Sequence, residues 1–291
     1  MTPSTEKPPV VVWGNCQSTP LAAMLTEPLL AHGWQVHPVP PVFEVDQAGL
    51  AEVHRLMANA ALLVTQPIKD EYRIPGCGSN QLAALLGDDA QVVTFPVTYD
   101  TSAFPYQVNA HRGDGTRVDA PLTDYHDLRT IVAAERGLSV DDALERWPLP
   151  TPEMVRSNAE ASVAELHRRE ADLDVQVSDL LAGPAMFTLS HPTNAVLAET
   201  ARRVLTVLGI EGDIDIPTRE FLGARRAPIE APVVETLGWS ADVRHDNWIV
   251  NGSELPQREV ITAQLDFYAA YPDIITDTRT RFARRLELLE L

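Results

Sequence analysis

Two of the 291 residues are cysteines, and one of them stands where chemistry is easily done. Residues 10–18 read V-V-V-W-G-N-C-Q-S: a greasy run stops at Gly14, and Asn15, Cys16 and Gln17 follow. A cysteine at a strand-to-helix turn feels the positive end of the helix dipole and its unpaired backbone N–H groups. Both favour thiolate over thiol, and thiolate is the nucleophile. Gln17 offers an amide donor beside the sulfur, the kind of group that stabilises an oxyanion. Asn15 stands on the other side. Taken alone, the same cysteine also fits a small residue of the core.

A thiolate needs a base or an ion-pair partner, and His191 has the most suggestive surroundings of the eight histidines. The apolar stretch A-M-F-T-L-S (185–190) meets His191-Pro192, and a helix opened by that proline would leave the ring near its N-cap. Asn194 could then orient the ring, as the third member of a Cys–His–Asn arrangement does. A capping or packing role for His191 stays open. His37, His111 and His245 are lesser candidates, and His32, His54, His126 and His167 fall within helical patterns that read as solvated.

A third cluster is T-Q-P-I-K-D-E-Y-R at 65–73, which puts Gln66, Lys69 and Arg73 just after a buried strand. Two cations beside a strand end could receive a phosphorylated ligand; ordinary pairing with Asp70 and Glu71 explains them too. The charge runs at 168–172 and 224–227 read as solvated faces. No C-x-x-C or H-E-x-x-H spacing points to a metal. Dinucleotide, Walker and G-x-S-x-G signatures are missing as well.

The elements that must position these residues alternate over the first hundred positions. Strands are predicted at 10–13, 34–39, 61–66 and 91–97, with helices at 20–25, 49–59 and 80–86. Such alternation builds right-handed β-α-β units on a mainly parallel, Rossmann-like sheet. Ligands gather at the carboxyl ends of strands in these sheets, where the Cys16 turn and Gln66 both fall. Residues 100–117 read as a long loop. Beyond it the pattern turns helical, at 124–137, 140–147, 151–170 and 193–208, with an irregular stretch at 222–256 and a helical end broken at Pro272. The expected fold class is α/β: a small parallel-sheet subdomain over 10–105 joined to a larger, predominantly helical part over 106–291. A flexible tail is expected over 1–9.

The net charge of −18, from 41 acids against 23 Lys plus Arg, repels phosphate backbones and anionic membranes, so nucleic acid is not an expected partner. No run approaches the roughly 18 apolar residues of a membrane span. The polar, Pro-rich start M-T-P-S-T-E-K-P-P is no secretory signal, and two cysteines without one suggest reduced thiols in the cytoplasm.

Together, Gly14-Asn15-Cys16-Gln17, Gln66-Pro67-Ile68 followed by Tyr72-Arg73, and F-T-L-S-H-P-T-N at 187–194 resemble the WcbI-type polysaccharide-biosynthesis proteins. The Arg169-Glu170 pair and Asp124-Tyr125-His126-Asp127 fit the same pattern, which covers roughly residues 10–210. The resemblance implies acetyl transfer as the activity and coenzyme A as the ligand. It also implies a cysteine-hydrolase-like site whose cysteine and histidine are here Cys16 and His191. The expected function is therefore an acyl-coenzyme A-dependent acyltransferase, an acetyltransferase acting on a hydroxyl or amine of a sugar or small natural product, without a metal. Lys69 and Arg73, with Gln66, are the expected coenzyme A contacts. A cysteine hydrolase using the same pair, and a non-catalytic coenzyme A-binding module, are the alternatives. The sequence leaves the oligomeric state open.

Overall fold

Val10 to Trp13 are four consecutive apolar side chains, and such a run is stable as a strand only with both faces covered. The computed structural model, which describes residues 7–291, puts them at the centre of a four-stranded parallel sheet. The strands are β1 (Pro9–Trp13), β2 (Gln35–His37), β3 (Leu62–Thr65) and β4 (Gln91–Thr94), in the order β2-β1-β3-β4. The connecting helices are α1 (Ser18–Ala31), α2 (Gln47–Met57) and α3 (Ser79–Ala83). Val10 pairs with both Val36 and Leu62, so β1 is bonded on both edges.

The tail expected over 1–9 lies, for residues 1–6, outside the described residues. Its end is already sheet, since Pro8 and Pro9 carbonyls accept from Gln35 and Ala61 N–H groups. Helix α1 runs past the predicted end at 25. Leu21, Leu25, Pro28 and Leu29 continue one buried face, and that burial carries the helix through Pro28. Strand β2 is half the predicted length.

The chain divides into two compact units that do not follow the expected cut at residue 105. The first takes in the residues up to Thr98, then Glu165–Ala185 and His191–Leu222. Two later segments therefore complete the sheet. Asp174 accepts from the Thr94 N–H (2.8 Å) and hydroxyl (2.7 Å), and Val175 N–H donates to the Thr94 carbonyl. Helix Asn194–Leu208 packs on α1, burying Val196, Leu197, Ala201 and Val204. Glu170, fully buried, is held by the Val177 and Ser178 N–H groups and the Ser178 hydroxyl.

The second unit comprises Tyr99–Ala164, Met186–Ser190 and Gly223–Leu291. Its core joins helix Leu128–Glu135 to helix Gln257–Ala270, with Tyr106, Leu128, Ile131 and Tyr268 at the contact. The predicted helix at 124–137 starts at Leu128 instead. Residues His126–Asp127 pair as a short strand with Gln107–Val108, and Asp127 caps the helix by accepting from Arg129 N–H. The loop expected at 100–117 thus contains short strands. The irregular stretch at 222–256 holds a three-stranded antiparallel sheet and helix Ala231–Leu237. Among the described residues, no helix is long and apolar enough to cross a membrane.

Candidate functional site

Strand order reverses around β1: from it the chain builds β2 on one side and β3 on the other. The crevice beyond the carboxyl ends of two such strands is the usual ligand site of open parallel sheets. Cys16 is half-exposed in the turn that leaves β1 there, directly before α1. Cys77, the other free thiol, is buried in the core of the sheet's helix-covered face.

Gln66, the first residue after β3, holds that turn. Its Oε1 accepts from Asn15 N–H at 2.8 Å, and its Nε2 donates to Gln17 Oε1 at 3.1 Å. The contact explains Gly14: a Cβ there would sit 2.6 Å from Gln66 Oε1. Gln17 is 1% exposed and latched to Thr98 in both senses, Nε2 donating to the carbonyl (2.7 Å) and Oε1 accepting the N–H (3.0 Å). Asn15 closes the turn locally. Its Oδ1 accepts from Gln17 N–H, and its carbonyl accepts from the N–H and hydroxyl of Ser18. Ser18 is therefore the first residue of α1, with Gln17 at its N-cap, ahead of the predicted start at 20.

Two expectations change with this network. Gln17 carries the amide expected to steady an oxyanion, yet its carboxamide is spent on Thr98 and Gln66. Gln66, also 1% exposed, has its carboxamide engaged by Asn15, Gln17 and the Pro96 carbonyl. Asn15 is half-exposed, with its Oδ1 engaged by Gln17 N–H.

Lys69 and Arg73 lie on the loop between β3 and α3, whose base is cinched by Ser79. The Ser79 hydroxyl donates to the Gln66 carbonyl (2.5 Å) and accepts from Ile68 N–H (2.9 Å). Gly78 lets the loop fold back tightly, since a Cβ there would meet the Asp70 backbone at 2.6 Å. Lys69 and Tyr72 are exposed. Arg73, also exposed, donates to the Val42 carbonyl at 3.5 Å, and Val42 N–H donates to the Gly14 carbonyl at 2.8 Å. One residue thus links Arg73 to the Cys16 turn.

His191 is half-exposed and belongs to the same unit as Cys16. It does not sit at a helix N-cap. His191–Pro192 are extended, Thr193 is the cap, and Thr193 N–H donates to the Ala185 carbonyl at 2.9 Å. The helix that follows His191 packs on the helix that follows Cys16. Asn194, expected to orient the ring, is fully buried and employed elsewhere: Nδ2 donates to the Pro217 and Arg219 carbonyls, and Oδ1 accepts from Phe221 N–H. Sequence reading missed Asn194's part in tying down 217–221, because partners more than twenty positions away leave no local signal.

A search among curated protein sequences finds no significant match. A solved structure of WcbI, described as a novel polysaccharide biosynthesis enzyme, superposes with a TM-score of 0.81 over 97% of each chain at 18% identity. That structure is described as the native protein without a disulfide bond between coenzyme A and one of its cysteines. The family model for the polysaccharide biosynthesis enzyme WcbI matches residues 9–213, a span that takes in β1, the Cys16 turn, Gln66 and His191. This chain belongs to the WcbI family of polysaccharide biosynthesis enzymes.

Proposed function

We propose that the protein transfers an acyl group from an acyl-coenzyme A to a hydroxyl or amine of a small acceptor, a sugar or natural product, with Cys16 as nucleophile. The observation that carries this reading is the half-exposed Cys16 in a braced turn at the strand-order reversal, ahead of α1. The description of the solved WcbI, a native protein without a disulfide bond between coenzyme A and one of its cysteines, names the same ligand and the same residue type together. Of the two thiols here, only Cys16 is not buried.

In the proposed sequence His191 removes the Sγ proton, and the thiolate attacks the thioester carbonyl. The Asn15 Nδ2 amide steadies the oxyanion in the role first expected of Gln17. The thioester C–S bond breaks, and His191 returns its proton to the departing thiolate. The acceptor then gives its proton to His191 and attacks the acyl carbon; the Sγ–acyl bond breaks, and His191 returns that proton to Sγ. Lys69 and Arg73, exposed beside the turn in an otherwise acidic protein, hold the phosphates of coenzyme A.

Thiol release from acetyl-coenzyme A tests this. With no acceptor, the expected result is one equivalent of release per protein and then a stall. Continuous release without acceptor would make the protein a hydrolase. Tight binding with no release at all, unchanged in His191→Ala, would make it a binding module.

A further inference from the structure

The stretch Asp124-Tyr125-His126-Asp127 has no task in the acyl transfer above, yet Tyr125 meets the segment that leads to His191. Tyr125 is 2% exposed and lies in the second unit, as do Met186–Ser190. Its hydroxyl accepts from the Thr188 hydroxyl at 3.0 Å and shares a hydrogen bond with the Ser190 hydroxyl at 2.8 Å. A buried phenol needs one partner for its O–H. This one has two, and both belong to the three residues that precede His191.

The residue between them is held as well. Leu189 N–H donates to Gln107 Oε1 at 2.8 Å, and the Leu189 carbonyl accepts from Asp100 N–H at 2.9 Å. Tyr125 is itself fixed in place. Its ring lies nearly parallel to Trp248, 6.3 Å between centres, and the Arg117 guanidinium stands 5.9 Å from its centre. Its carbonyl accepts from the Thr123 hydroxyl at 2.9 Å and from Gln264 Nε2 at 3.1 Å.

Ser190 joins His191 through one planar peptide bond, so holding Ser190 limits where the next residue can stand. A general base works only within hydrogen-bond reach, and a misplacement of about 1 Å can cost about a hundredfold in rate. We propose that Tyr125 is a positioning residue for His191. Its hydroxyl holds Ser190, and with it the main chain from which the imidazole departs. This rests on His191 as the base of the proposed transfer.

The rate of Cys16 acetylation by acetyl-coenzyme A, read by intact mass in rapidly quenched samples over a range of concentrations, tests it. The parent should be acetylated, and His191→Ala far more slowly. If the parent takes no acetyl group, or His191→Ala matches it, the acyl-transfer reading fails and the role of Tyr125 falls with it. With those two results in hand, Tyr125→Phe keeps the ring and loses only the hydroxyl. It should lower the maximal rate about tenfold, with the half-saturating concentration within about twofold of the parent's. Ser190→Ala should do the same, and the double variant should be no slower than either single one, because both remove one bond. Ser190→Ala carries the test if Tyr125→Phe does not fold. A packing role alone would lower the urea midpoint and leave the maximal rate at the parent's value. That result, or rate losses that multiply in the double variant, overturns the proposal while leaving acyl transfer standing.

Discussion

Gln66 does more for the Cys16 turn than any other single side chain. Its carboxamide meets Asn15, Gln17 and the Pro96 carbonyl from a buried position. Gln66→Leu leaves the Asn15 N–H without its acceptor, and the expected cost is about 1–3 kcal/mol of stability, read by urea unfolding. Gly14→Ala should lose stability by the same route, because its Cβ displaces Gln66 Oε1. Lys69→Glu and Arg73→Glu should leave the fold intact and raise KM for acetyl-coenzyme A about tenfold, with kcat little changed. A larger effect on kcat would remove them from phosphate binding. Cys16 and His191 could be singled out in sequence because each follows an apolar run and precedes a helix. The network behind Cys16 could not. Asn15 and Gln66 lie 51 positions apart, and only the sheet order brings them together.

Among the elements, those with a strong local signal were legible. Residues 151–170 form helix Pro152–Glu170, with the Thr151 hydroxyl accepting from Met154 N–H as its start signal predicts. The two-residue strands of the second unit carry no periodicity to read, which is why 124–127 looked helical. The sequence pattern reads His126 as a solvated helical histidine. Instead it is 1% exposed, bonded through Nδ1 to the Tyr268 hydroxyl and through Nε2 to the Val118 carbonyl. Burial drives its pKa down from 6.5 to about 4. Above about pH 6.5 the ring is neutral in the folded and the unfolded chain alike, and its contribution is intact. As the pH falls, the unfolded chain takes up a proton that the fold refuses, and stability is lost on the way to about pH 4. The loss is about 3 kcal/mol. Unfolding of His126→Gln against the parent across that window should show the parent's steeper decline, and parallel curves would refute it.

At the scale of the whole molecule, the α/β class and the parallel sheet were readable from alternation alone. The division of the chain was not. Residues 165–185 and 191–222 return to the sheet's unit through contacts that no local pattern announces, such as Asp174 on Thr94. A fragment ending at residue 105 would keep four strands but lose the helix that covers α1. It should show no cooperative thermal transition by circular dichroism, and a cooperative one would show that the sheet folds unaided. The proposed chemistry turns on one atom, the sulfur of Cys16. Its most direct test is the mass of the intact protein, followed by peptide mapping, after brief exposure to acetyl-coenzyme A without acceptor. Acyl transfer through Cys16 gives one acetyl group, mapped to the peptide containing Cys16, absent in Cys16→Ala and discharged on adding acceptor. An unmodified Cys16 in a protein that still transfers acetyl groups, or full transfer by Cys16→Ala, would contradict it.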